Sequence, residues 1–161
     1  MSTFRDATPT DVAAIEAALG RPLAGRCAVV VRRSDGRPVV IENEPHLRDG
    51  TPMPTLYWLM DPEFVDAVSR LEGAGGVHQY EATLGLDAIA AVHEAYAARR
   101  QAAIVRLDAP APAGGVGGTR VGIKCLHAHL ANYLAGNDDL VGQLVTTLVA
   151  LPPTVLEDVR S

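Results

Sequence analysis

The sequence predicts an α+β fold: a small three-stranded antiparallel sheet packed with four to five helices, as a single domain over residues 1–161. Three observations predict it. Two β-branched runs flank an Asp-Gly pair, a strong short-range hairpin signal. Several segments carry apolar residues at helical spacing between cap-like starts and Gly or Pro stops. Apolar residues make up 48% of the chain but aromatics only 4%, so Ala, Val and Leu must fill the core, which suits helices packed over a small sheet.

In chain order, Thr8-Pro9-Thr10-Asp11 reads as a helix start, and Val12, Ile15 and Leu19 continue at helical spacing to Gly20. Residues 27–33 and 38–43 are the two strands around Ser34-Asp35-Gly36-Arg37, with Cys27 at the mouth of the first. Residues 44–55 hold three prolines and a second Asp-Gly, which makes an ordered loop. Residues 55–59 form the third strand. Asp61-Pro62-Glu63 then caps a helix through Phe64, Val65, Val68 and Leu71 to Gly73.

Residues 77–84 alternate too weakly to be assigned to a strand. A long helix is expected from Asp87 to about Leu107 on the spacing Ile89, Val92, Tyr96, Ala103, Leu107. Arg99 and Arg100 are expected on its outer side, with His93 and Glu94 on a solvated flank. Residues 109–118 are a breaker-rich connection and not a domain boundary. Asp138-Asp139 caps a last helix through Leu140, Leu144, Leu148 and Leu151, stopped by Pro152-Pro153.

The charge of −5 argues against a general nucleic-acid partner, which needs a basic face to neutralise phosphates. No apolar stretch is long enough to span a bilayer, and acidic residues occupy the N-terminal segment where a signal peptide has a basic and an apolar region. The expected location is cytoplasmic, where Cys27 and Cys125 are thiols.

The chemistry concentrates between Gly114 and His129, where five glycines precede Cys125 and His127. Lys124 is the only lysine against thirteen arginines, so a compact ammonium with a tunable pKa is a reading of that position. On a regular helix from Ile123, Cys125 and His127 stand about 160° apart and form no dyad. A helix beginning at Lys124 or Cys125 changes this and places the thiol at a helix N-terminus.

Three readings compete. In the first, Gly117, Gly118 and Thr119 offer backbone amides that join Arg120 and Lys124 in holding a small anion. The spacing is not that of a P-loop. In the second, Cys125 and His129 join Cys27 or His46 around zinc. In the third, the glycines serve only the turn, Cys125 fills the core and His127 is a hydrogen-bonded core-edge histidine.

The run Gly122-Ile-Lys-Cys-Leu-His-Ala-His-Leu-Ala-Asn-Tyr-Leu-Ala-Gly136, with residues 49–59, 68–72 and 75–77, resembles an actinobacterial family of domains of unknown function, number five hundred and one. The likeness covers about residues 20–145. The resemblance implies a small cytoplasmic domain, encoded near cell-division and exopolyphosphatase genes. It marks Gly50, Thr51, Pro54, Thr55, Tyr57, Lys124, Cys125 and His127 as motif positions. The resemblance also implies cysteine in many relatives where this chain has Arg33 and Asp61, and histidine where it has Asn132, which favours an anion or small-ligand pocket over zinc. No metal ligand is assigned.

The functional expectation is a pocket between the proline-rich and glycine-rich loops that binds a small anionic or phosphorylated ligand. Lys124, Arg120, Gly117, Gly118, Thr119, Thr51, Thr55 and Tyr57 line it. If the chain is an enzyme, His127 is its acid or base and Cys125 its nucleophile. The alternative is a non-catalytic interaction module, as a homodimer or with a protein partner of cell division or polyphosphate metabolism. Neither cofactor nor substrate is legible.

Overall fold

The computed structural model describes residues 4–160. Helix α1 (Pro9–Leu19) begins where the capping signal places it: the Thr8 side chain accepts from the Asp11 amide, and the Asp11 side chain accepts from the Thr8 amide. Strands β1 (Cys27–Arg33) and β2 (Pro38–Asn43) form the hairpin, with Cys27 opposite Asn43 and Val29 opposite Ile41. β3 (Tyr57–Leu59) adds to the far side of β2.

The sheet has one strand more than expected. β4 (Thr154–Leu156), just after Pro152-Pro153, pairs antiparallel with β1 and gives the order β3-β2-β1-β4. Three residues on an edge leave too little alternation to be read as a strand.

The valines of β1 are buried without a break because both faces of the sheet are covered. Cys27, Val29 and Ile41 pack with Ile15 of α1. Ala28, Val30 and Val40 belong to the main core with α2 (Pro62–Gly73), α3 (Gly76–Leu84), α4 (Leu86–Ala102), α5 (Leu126–Leu134) and α6 (Leu140–Leu148). Six α-helices thus stand among the described residues, where four to five were expected. The additional one is α3, the segment whose alternation was weak.

Two helix assignments change. α4 stops at Ala102, and Leu107 is 89% exposed, so it is no part of the buried stripe. α6 buries Val141, Gly142 and Val145, while Leu148 is exposed. The close approach of α6 to α5 explains the shift. A Cβ at Gly142 would lie 2.4 Å from the His129 carbonyl oxygen, so the crossing point demands glycine and turns that face inward.

The proline-rich loop is ordered by its own turn and by two arginines. Leu47 N–H donates to Thr51 O at 2.8 Å. Arg106 donates to the carbonyls of Leu47 and Arg48, and Arg100 to that of Pro54, which anchors the loop to α4 and to the segment after it. Among the described residues no helix is long and apolar enough to cross a membrane.

Candidate functional site

The glycine-rich approach does not enter a helix at Ile123. Gly122 adopts a left-handed φ of +66°, and Cys125 is extended at φ −150° and ψ 121°. α5 therefore begins at Leu126, with Cys125 as its N-cap residue. The wide angle between Cys125 and His127 presumed one regular helix through both. Extended backbone at Cys125 removes that offset, and Sγ lies 3.6 Å from His127 Nδ1.

Glu72 completes the cluster. In the last turn of α2 its charge opposes that helix's dipole, but it faces the N-terminus of α5. The Leu126 amide donates to Glu72 Oε2 at 2.7 Å, and Oε1 stands 3.3 Å from His127 Nδ1. The anion position at the start of α5 is thus filled by the protein's own carboxylate.

The other ring nitrogen fixes the tautomer. His127 Nε2 lies 3.1 Å from the Val65 carbonyl and 3.0 Å from Ser69 Oγ. A carbonyl only accepts, so Nε2 carries a proton and the neutral ring turns its Nδ1 lone pair toward Cys125 and Glu72. The hydrogen bond with Cys125 raises the His127 pKa; burial opposes this, while the charges of Cys125 and Glu72 and the Val65 carbonyl reinforce it. Among the described residues Cys27 has no such partner, and burial pushes its thiol up to about 11.

Behind α5 lies a buried polar network. His129 Nδ1–H donates to Asp139, 3.0 and 2.8 Å from the two carboxylate oxygens. Asn132 donates to the same carboxylate at 3.0 Å, as do the amides of Val141 and Gly142 that open α6. The ring of His93 stands 5.7 Å from that of His129. His93 Nε2–H donates to the Gly122 carbonyl at 2.7 Å, and its Nδ1 accepts from the Val116 amide at 3.0 Å. One histidine of α4 thereby holds both ends of the glycine-rich loop, and burial lowers its pKa.

His93 and Arg100 do not lie on a solvated side of α4. Both are buried. A helical wheel could have found them, because Arg100 falls about 20° and His93 about 40° from Ile89, at the centre of the apolar stripe. Between this face and the glycine-rich segment is a cleft of about 470 Å³, lined by residues that include His93, Glu94, Arg100, Gly115 and Arg120.

The residues singled out from the sequence separate into groups. Cys125 and His127 meet. Lys124 is exposed, packed beside Gly117, and does not line the cleft that Arg120 lines. The non-helical path before Leu126 points it outward. Gly117 and Gly118 form a tight turn, and the Thr119 hydroxyl is engaged locally with Val121. Thr51 is exposed in the proline-rich loop, and Thr55 is half-buried with its carbonyl accepting from Asn43. Tyr57 is buried beside Glu42, and burial pushes its phenol up to about 12.

The expected zinc set is not assembled. His129 turns to Asp139, Cys27 packs on the α1 side of the sheet, and His46 Nε2–H donates to the Pro110 carbonyl at 2.8 Å. Arg33 and Asp61 pair with each other at 2.6 Å.

A family described as "Protein of unknown function (DUF501)" matches residues 29–147. The chain belongs to this family. No curated protein and no solved structure matches it. The DUF501 match takes in both the Glu72–Cys125–His127 cluster and the cleft, and leaves α1 and β4 outside. Within the DUF501 region, sequence reading missed Glu72, whose role comes only from the docking of the α2 C-terminus against the α5 N-terminus.

Proposed function

We propose that this DUF501 chain binds a small anionic ligand, of the phosphate or carboxylate class, in the cleft between α4 and the glycine-rich segment. Arg100 carries the reading. It is 3% exposed, and its guanidinium donates to the carbonyls of Pro54 at 2.8 Å, Gly114 at 2.7 Å and Pro112 at 3.5 Å. Among the described residues no carboxylate pairs with it. Carbonyl dipoles satisfy its hydrogens, but the charge itself stays uncompensated in a low-dielectric setting. Burial accordingly lowers its pKa.

Arg120 supports the same reading. It is exposed, lines the same cleft and makes no ion pair among the described residues. Glu94 on the same wall opposes an anion, and the two arginines exceed it by one charge. In this reading Arg120 keeps its expected role, Arg100 joins it, and Lys124 leaves the ligand set.

Thermal melts at low ionic strength test it, with millimolar inorganic phosphate, pyrophosphate or citrate as probes. A ligand that binds the folded state at about 100 times its Kd adds about 2.7 kcal/mol and raises Tm. Arg120→Ala should abolish the rise and leave the ligand-free Tm in place, since the side chain is exposed. A wild-type Tm that none of the three anions moves would sink the proposal.

A further inference from the structure

The cluster at the start of α5 carries a second inference, independent of the cleft. Its three side chains come from two helices and point electron pairs at one place. The Val65 carbonyl holds the proton of His127 on Nε2 and so exposes the Nδ1 lone pair. The Leu126 amide takes Glu72 Oε2 and turns Oε1 toward the ring. Cys125, extended at the N-cap, brings Sγ to the same side. A thiolate and a carboxylate together carry two negative charges beside a neutral imidazole, and one divalent cation balances them.

The spacing also fits. Around a tetrahedral zinc ion with bonds of roughly 2.3 Å to sulfur and 2.0–2.1 Å to nitrogen and oxygen, the N···S edge is about 3.6 Å and the N···O edge about 3.3–3.4 Å. The observed separations are 3.6 Å from Nδ1 to Sγ and 3.3 Å from Nδ1 to Oε1. The ligand atoms of all three residues lie within 4.8 Å of one another. Both outer partners of a built metal site are present: a carbonyl on the distal ring N–H and an amide on the free carboxylate oxygen. A ligand set of one sulfur, one nitrogen and one oxygen suits zinc and its neighbours, not magnesium or calcium.

We propose that Glu72, Cys125 and His127 bind one divalent ion of the zinc class through Oε1, Sγ and Nδ1, with a fourth position open to solvent. The site is half-buried, with side-chain exposures of 22% at His127 and 28% at Glu72, so solvent reaches that position. Binding removes the Cys125 thiol proton, which passes to buffer as the sulfur–metal bond forms.

Cobalt(II) titration of the full chain tests this. One equivalent should produce a thiolate-to-cobalt charge-transfer band and the intense visible bands of tetrahedral cobalt, with proton release, and zinc should displace it. Cys125→Ser should lose the charge-transfer band yet stay folded, because serine is a favoured N-cap residue. Cys27→Ala should keep it. His127→Ala and Glu72→Gln should each weaken affinity at least by the roughly 10–100-fold that follows loss of an outer-shell partner. No charge-transfer band in wild type, or a band that survives Cys125→Ser, overturns the proposal. Circular dichroism of each variant separates loss of binding from loss of fold, and full metal affinity in both folded His127→Ala and Glu72→Gln overturns it equally.

Discussion

Removing the Asp139 carboxylate should destabilise the protein more than any exposed substitution, and its size can be worked from the partners it strands. The side chain is 0% exposed and accepts from His129, Asn132 and the amides of Val141 and Gly142. In Asp139→Ala, loss of the N-cap costs about 1 kcal/mol. His129 Nδ1–H and an Asn132 N–H are left without acceptors in the interior, at about 1–3 kcal/mol each. The total is about 3–5 kcal/mol with partial relaxation. It is a large fraction of the roughly 5–15 kcal/mol that holds a domain folded.

At about 2–4 °C per kcal/mol for a chain of this size, Tm should fall by about 6–20 °C in a calorimetric scan. Asp138→Ala, one residue earlier and exposed, is the control and should stay within about 0.5 kcal/mol of wild type. The reasoning fails if Asp139→Ala melts within about 2 °C of wild type, for then the buried network does not hold α5 against α6.

Two further outcomes follow from local geometry. Gly115→Ala places a Cβ 2.4 Å from His93 Nδ1, and the ring cannot retreat because it bonds both Val116 and Gly122; about 1–3 kcal/mol of overpacking should lower the urea midpoint. The Arg32 guanidinium holds the Asp11 pKa at about 2 against an ordinary 3.8, with burial opposing and Thr8 assisting. Because the folded value is the lower one, the resulting stability, about 2 kcal/mol, is present above pH 4 and is lost as pH falls toward 2. Urea midpoints of Asp11→Asn should therefore lie below wild type at pH 5 and converge with it near pH 2; an equal gap at both pH values would refute the linkage.

Much of the scaffold is legible because it is encoded by neighbours in sequence. Thr8 with Asp11, Asp61 with Pro62, and Asp139 before an apolar run mark three helix starts by bonds that close within one turn. Asp35-Gly36 fixes the hairpin in the same way. α3 and β4 escape for the opposite reason. α3 is short and without a side-chain cap, and β4 is a three-residue edge whose register is set by β1, far away in the chain. Arg100 was misplaced because its type, and not its position on the wheel, was read.

For the candidate site, the sequence alone determined which reactive groups exist near Cys125 and that a glycine-rich loop delivers them. It also left open where the helix starts, and on that residue the chemistry turns. Only the tertiary structure decided it: His93 pins Gly122 through its carbonyl, Gly122 takes a left-handed turn, and α5 begins at Leu126. Cys125 then faces His127 instead of opposing it, and α2 brings Glu72 to the same point from more than fifty residues away. Helical periodicity can place side chains that share one continuous helix. It has no term for a backbone bent by a distant histidine or for a carboxylate docked from another helix, and those two contacts make the cluster.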